Sequence, residues 1–206
     1  MTERSTRRAA ILDRDGTLID FHRDAELGAV VSAFHPSQLR LLPGVLEGLR
    51  VLSGAGFLLA IATNQPGAAK GQIPRSAIAR TNEALIAMLA AEGISIAAIA
   101  VCEHHPDGGP GGDASLVGPC ACRKPAPGLL LDLARELALD PASTWMIGDS
   151  AADVEAARRA GMRAGLILET LRCELCPLRV GEERLAVSPD RVAPRLDVLA
   201  RAIVAG

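Results

Sequence analysis

Short apolar runs that stop at polar residues recur along the chain, and segments with apolar positions at helical spacing lie between them. Ala9 to Asp13 (AAILD) predicts a buried strand with a polar tip. From Pro43 onward, Val45, Leu46, Leu49 and Leu52 repeat at helical spacing, and Gly54 and Gly56 punctuate the end of that helix. Phe57 to Asn64 (FLLAIATN) predicts a second strand, followed by a turn at Pro66-Gly67. A longer helix is predicted from Pro74, tolerable in a first turn, to about Glu92, with Ile78, Leu85, Ile86 and Leu89 on one face. Ile94 to Val101, Thr144 to Gly148 and Ala164 to Leu168 predict three more strands. Gly128 to Leu139 and Ala151 to Ala160 predict helices, and the tail ends in another that holds Leu196, Val198, Leu199 and Ile203.

Strands that alternate with helices predict an α/β fold: a Rossmann-like, three-layer αβα sandwich around a mostly parallel sheet, joined by right-handed crossovers. Each polar cluster follows a strand, which gathers them at the carboxyl edge of the sheet, where open α/β sheets bind ligands. The 206 residues suit one domain (1–206), with a core over about 9–168, a loop at 102–122 and an extension at 169–206. The glycine-rich segment Asp107 to Pro119 (DGGPGGDASLVGP) predicts a flexible loop rather than a phosphate cradle.

A net charge of −2 and the absence of tyrosine argue against a nucleic-acid partner, since they leave neither a basic field nor a stacking surface. The N-terminus MTERSTRRAA has no apolar segment before a cleavage site, and eighteen uninterrupted apolar residues occur nowhere. A cytoplasmic monomer with no membrane partner is the expectation. In that reducing compartment, three of the five cysteines beside a histidine in one polar loop favour a metal over disulfides.

The candidate chemistry begins at LDRDGTL. Asp13 and Asp15 flank Arg14, so at an extended strand tip their carboxylates project to the same side. Such a pair can hold one hard cation, or divide into a nucleophile and a proton donor. By itself the tetrad also fits a surface turn. Three more clusters sit at strand ends: Thr63-Asn64, Arg123-Lys124-Pro125, and Gly148-Asp149 with Asp153. Cys102, His104, Cys120 and Cys122 form a Cys-x-His and Cys-x-Cys set, a closed shell suited to structural Zn²⁺. His105 competes with His104, but alternate positions of an extended segment point alike, which favours His104 beside Cys102. A metal there would pin Arg123 and Lys124 at the mouth of the site. Cys173 and Cys176 have no second pair nearby and read as buried or free thiols, Lys70 as a surface lysine, and His22 and His35 as polar loop residues.

LDRDGTL, ATN, a lysine and GDSAAD, in that order, resemble the motifs of the haloacid dehalogenase superfamily of aspartate-based phosphatases, over roughly Ala9 to Gly165. The resemblance implies that Asp13 is the nucleophile, Asp15 the general acid and then base, Thr63 a hydrogen-bond donor to the phosphoryl group, and Lys124 its charge partner. It implies a Mg²⁺ site of Asp13, the backbone carbonyl of Asp15 and Asp149, supported by Asp153. Phosphoryl transfer needs such positioning and neutralisation more than covalent ingenuity, and hard oxygen ligands suit Mg²⁺. CEHHP with CACRKPAPG, and ATNQPGAAKG, are similar to a narrower group, the heptose 1,7-bisphosphate phosphatases and the related histidinol-phosphate phosphatases. That similarity implies a fold without a large cap domain and substrate contacts from Asn64, Gln65 and Arg123. The implied substrate is a small phosphorylated metabolite, a sugar bisphosphate cleaved at carbon 7, with histidinol phosphate or another small metabolite as the alternative. A non-catalytic, zinc-stabilised binding module is the alternative of a different class. Three features depart from the pattern: Phe21 to Leu42 is long and lacks the usual substrate-loop signature, the cysteine loop is extended by the glycine-rich insert, and Ser150 stands where the heptose enzymes typically have a basic residue.

Overall fold

In a computed structural model, which describes residues 7–24, 28–168 and 188–206, the apolar runs line up as a parallel sheet. Along the chain come β1 (Ala9–Leu12), β2 (His22–Asp24), β3 (Ala29–Val31), α1 (Val45–Gly54), β4 (Leu58–Asn64), α2 (Arg75–Ala91) and β5 (Ala98–Cys102). They are followed by α3 (Gly128–Glu136), β6 (Trp145–Gly148), α4 (Ala151–Arg159), β7 (Arg163–Ile167), β8 (Arg191–Ala193) and α5 (Leu196–Ala205). Six strands pair in the order β5-β4-β1-β6-β7-β8, all parallel, while β2 and β3 form a separate antiparallel hairpin.

The period of two along each strand divides the core into two layers. Ala10, Leu12, Leu59, Ile61, Trp145 and Ile147 face α1, α2 and α5, where Leu49, Leu85, Leu89 and Leu199 meet them. Ala9, Ile11, Ala60, Ala62 and Met146 face α3 and α4, packing with Leu130, Leu133, Val154 and Ala157. Both faces of β1 are therefore covered, and all four of its residues are buried. A parallel strand covered on both faces reads as a continuous apolar run, which is why AAIL alternates so little.

The chain winds from β1 through β4 to β5 on one side, then crosses to β6 on the other, so the direction of winding switches between β1 and β6. A crevice opens at such a switch point, beyond the carboxyl ends of the strands. Leu12 pairs with both Ile61 and Ile147, which sets the next residue, Asp13, level with the ends of β4 and β6.

Several boundaries differ from the sequence expectation. β5 starts at Ala98 rather than Ile94, because Ile94 to Ala97 form the connection that follows Gly93, whose φ is +75°. α3 ends at Glu136, and Ala138 turns the chain at φ +51°. The three-residue strands β2, β3 and β8 are too short for period-two patterning to reveal them, so the chain beyond 168 adds a strand and a helix to the sheet rather than a helix alone. The glycine segment after β5 is packed rather than free: Asp113 N–H donates to the Ala68 carbonyl at 3.0 Å, and a Cβ at Gly112 would lie 2.0 Å from the Ala69 oxygen. Its glycines allow two backbones to approach, a role that composition alone does not distinguish from flexibility. Cys173 and Cys176 lie outside the described residues, and among those described no helix is long and apolar enough to cross a membrane.

Leu199 on α5 is fully buried between α1 and the sheet. Leu199→Ala is expected to lower the unfolding free energy by about 2–5 kcal/mol, measured by urea denaturation. A loss under about 0.5 kcal/mol would show α5 to be peripheral to the core.

Candidate active site

The edge at the switch point gathers Asp13 and Asp15 after β1, Thr63 and Asn64 at the end of β4, Lys124 from the loop after the cysteine cluster, and Asp149 and Asp153 around the start of α4. Together with Phe21, Ser32, Ser150 and Ala152 they line a cavity of about 170 Å³. A larger groove of about 780 Å³ lies beside α3 and the cysteines, but the clustered carboxylates and the buried lysine are in the smaller one.

Lys124 is the centre of this cluster and is only 4% exposed. Its Nζ lies 2.9 Å from Asp13 Oδ1 and 2.6 Å from Asp153 Oδ1, and it donates to the Ala62 carbonyl at 2.8 Å. Asn64 fixes the backbone of that lysine from both sides: its Nδ2 donates to the Lys124 carbonyl at 3.0 Å, and its Oδ1 accepts from Lys124 N–H at 3.1 Å. Burial alone would lower the basicity of Lys124, but Asp13 and Asp153 outweigh it and hold the ammonium above its ordinary value. The lysine is therefore a permanent cation beside Asp13.

Asp13 behaves in the opposite way. Burial pushes its carboxyl up to about 7; Lys124 opposes that shift, while Asp153, Asp149 and Asp15 add to it. Three clustered carboxylates, Asp13, Asp149 and Asp153, beside one lysine leave an excess of negative charge that a further cation would relieve, while Asp15 is paired with Arg14. Asp13, Asp149 and Asp153 bring carboxylate oxygens within 4.8 Å of one another. Both oxygens of Asp153 are already engaged, Oδ1 by Lys124 and Oδ2 by Ser150 N–H and Oγ. Asp13 and Asp149 could hold a hard divalent cation, while Asp153 supports Lys124 and caps α4 beside Ser150.

Two glycines make this crowding possible. Gly16, at φ +82°, lies so close to Asp149 that a Cβ there would sit 2.2 Å from its Oδ2. At Gly148 a Cβ would meet the Asp153 carboxyl carbon at the same 2.2 Å. These residues let the β1 turn and α4 close on the site.

Not every expected substrate contact reaches the cavity. Gln65 is fully buried behind Asp15, its Nε2 donating to Asp15 Oδ2 at 2.6 Å and to Thr63 Oγ1 at 2.8 Å. Its amide is occupied by protein partners, and it packs behind Asp15 rather than facing the cavity. Arg123 also lies outside the cavity lining, with Nη1 donating to the His104 carbonyl at 3.3 Å. Sequence reasoning missed Phe21 and Ser32, which the β2–β3 segment brings to the site, and Arg14, treated below. The one available signal for Arg14 was its place between two alternating aspartates, which turns a charged side chain inward.

The second cluster lies at the end of β5. Cys102 Sγ is 3.8 Å from Cys120 Sγ and 3.0 Å from Cys122 Sγ, and His104 Nδ1 lies 3.9 Å from Cys102 Sγ and 3.5 Å from Cys122 Sγ. A tetrahedral zinc shell with Zn–S of about 2.3 Å spaces its ligand atoms roughly 3.5–3.8 Å apart; three of these separations lie near that spacing, and Cys102 and Cys122 would have to part from 3.0 Å to hold such an ion. His104 joins this group and His105 does not: His105 Nδ1 accepts from the backbone N–H of Asp107 and Gly108. Arg123 N–H points to Cys120 Sγ at 3.4 Å, which links this shell directly to the residue before Lys124.

Known proteins resemble this chain over most of its length. The HAD-hydrolase-like family model matches residues 121–199. A D-glycero-beta-D-manno-heptose-1,7-bisphosphate 7-phosphatase of Rhodopseudomonas palustris is 37% identical over 163 residues, covering 79% of this chain and 84% of that protein. The chain belongs to the haloacid dehalogenase superfamily. Within that superfamily it groups with these heptose-phosphatase relatives, another of which, from Yersinia pestis, is 34% identical over 79% of this chain and 80% of its own length. The crystal structure of D,D-heptose 1,7-bisphosphate phosphatase from B. bronchiseptica, complexed with magnesium and phosphate, superposes with a TM-score of 0.72. It is 30% identical and covers 96% of this chain and 98% of that one. The haloacid dehalogenase fold accounts for the parallel sheet and for the position of Asp13 at the end of its central strand.

The raised Asp13 carboxyl gives a pH dependence. Its folded value of about 7 lies above its ordinary 3.8, so the fold favours the protonated form; that contribution is full below 3.8 and is lost as pH rises through 7. In Mg²⁺-free buffer, Asp13→Asn is therefore expected to melt above the wild type at pH 8, with the gap closing as pH falls below 7. Thermal melts across that range read the difference, and a gap that is independent of pH would contradict the assignment.

Proposed function

We propose that the chain is a Mg²⁺-dependent phosphomonoester hydrolase that removes the 7-phosphate of D-glycero-D-manno-heptose 1,7-bisphosphate. The observation that carries this proposal is the Asp13–Lys124 pair at 2.9 Å, set beside Asp149 at the switch point of a chain whose relatives bear that enzyme's name. Mg²⁺, held by Asp13, Asp149 and the Asp15 carbonyl, would supply the positive charge that lets an anionic nucleophile approach an anionic ester. The protein does the remaining work. Lys124 and Thr63 orient the phosphoryl oxygens, and a carboxylate oxygen of Asp13 attacks phosphorus. The ester P–O bond breaks as Asp15 gives its proton to the leaving oxygen. Asp15 then takes a proton from the water that attacks the phosphorus of the aspartyl phosphate, and Asp13 is restored as a carboxylate.

Zn²⁺ in the Cys102, His104, Cys120 and Cys122 shell has a structural part. All four positions are protein ligands, which leaves none for substrate. Its function is to hold the turn that carries Arg123 and Lys124, with Arg123 approaching the second phosphate from the rim once substrate binds. Residues 1–206 then work as one catalytic domain, monomeric and cytoplasmic.

Phosphate release from heptose 1,7-bisphosphate in the presence of Mg²⁺ is expected to exceed that from histidinol phosphate, and Asp13→Asn to lower it at least about a thousandfold. A preference for histidinol phosphate would overturn the substrate, and an active Asp13→Asn the nucleophile. Elemental analysis is expected to find about one zinc per chain after dialysis that strips Mg²⁺, and none in Cys120→Ser. A fully active, zinc-free wild type would refute the structural part given to the ion.

A further inference from the structure

Arg14 is fully buried, although it is the residue between the two catalytic aspartates. Its Nε donates to Asp15 Oδ2 at 3.1 Å and its Nη2 to Asp15 Oδ1 at 3.2 Å. Nη1 donates to Asn82 Oδ1 on α2 at 2.7 Å. Nη2 also reaches Gln65 Oε1 at 2.9 Å and the carbonyl of Ala33, two residues past β3, at 3.1 Å. Gln65 closes the ring by donating to Asp15 Oδ2 and Thr63 Oγ1. One guanidinium thus joins the β1 turn, the end of β4, α2 and the segment leaving the hairpin.

Stability alone does not explain this arrangement. Desolvating a guanidinium costs several kcal/mol, and well-packed apolar side chains in place of a buried ion pair are often neutral or stabilising. The planar fork does give directional hold on a carboxylate, which lysine does not provide. Asp15 needs such hold, because proton donation works only when the acid lies within hydrogen-bond reach of the departing oxygen.

We infer that Arg14 is the positioning residue of the acid Asp15, fixing its carboxyl through a buried ring with Gln65 and Asn82 and tying it to the segment that roofs the site. The inference rests on the phosphatase function proposed above. When Asp13 attacks and the ester P–O bond breaks, the bond's electron pair goes to the leaving oxygen, which takes the Asp15 proton. The negative charge left on Asp15 appears beside a guanidinium already in place, so no group has to reorient at that moment. Arg14 itself keeps its protons throughout.

Leaving-group dependence separates positioning from mere support. An alkoxide leaving group needs the proton of Asp15, whereas p-nitrophenolate leaves without it. The experiment compares kcat/KM for a primary alkyl phosphate that the wild type turns over and for p-nitrophenyl phosphate, in the wild type, Arg14→Lys, Asn82→Leu and the benchmark Asp15→Asn. The alkyl-to-aryl ratio is expected to fall at least about tenfold in Arg14→Lys and about threefold in Asn82→Leu, in the direction of Asp15→Asn. Asn82→Leu leaves Arg14 in place, so it decides alone if Arg14→Lys does not fold. Equal losses on both esters, or none, would overturn the positioning role while leaving the phosphatase intact. A wild type that turns over no phosphate monoester, heptose 1,7-bisphosphate included, would overturn the phosphatase itself, and this inference with it.

Discussion

The ammonium of Lys124 is where the separate parts of the molecule meet. β1 presents Asp13 to it, β4 presents the Ala62 carbonyl, α4 presents Asp153, and Asn64 grips its backbone. A lysine this deeply buried is tolerated only when opposite charges and hydrogen bonds replace its water. The requirement runs both ways: the sheet must close, Gly148 must let α4 dock, and the cysteine loop must be folded before the charge is matched. Asp153 is the closer partner, at 2.6 Å, and removing one partner of such a buried pair costs roughly 3–5 kcal/mol, so this contact ties the site to the fold.

Around that cation the carboxylates divide by environment rather than by residue type. Asp153 is committed to Lys124 and to the start of α4, whereas Asp13 is pushed up to about 7 by burial among like charges. Asp15 is held by a buried arginine and an amide, away from the lysine. The cysteine cluster extends the same logic outward. Its shell fixes Arg123 through a backbone N–H to sulfur, and the next residue is the lysine itself. A metal held there, with no open position, would influence catalysis without touching substrate.

Much of this was legible in the sequence because the parallel sheet writes itself as apolar runs ending in polar residues. Asp13, Thr63, Asn64, Lys124 and Asp149 each stand next to a run or a turn whose end is visible, and the structure brings them to one edge. What was not legible depends on pairing across long separations. β8 is three residues that become a strand only against β7, and the hairpin at 22–31 has the same character. The glycines at 108–112 read as flexible, yet Gly109 and Gly112 serve close packing on residues 70 and 69, a distinction that only the facing backbone reveals. Gln65 lies at a strand end like its neighbours, but its direction, inward to Asp15, is set by Arg14 and Thr63.

In the proposed mechanism Asp13, poised by Lys124, takes the phosphoryl group covalently. Acid quenching during Mg²⁺-supported turnover, followed by peptide mass spectrometry, tests it most directly. One phosphoryl group is expected on the peptide that holds Asp13, and none in Asp13→Asn. Rapid turnover with that peptide unmodified at every quench time, or with the label on another residue, would contradict it.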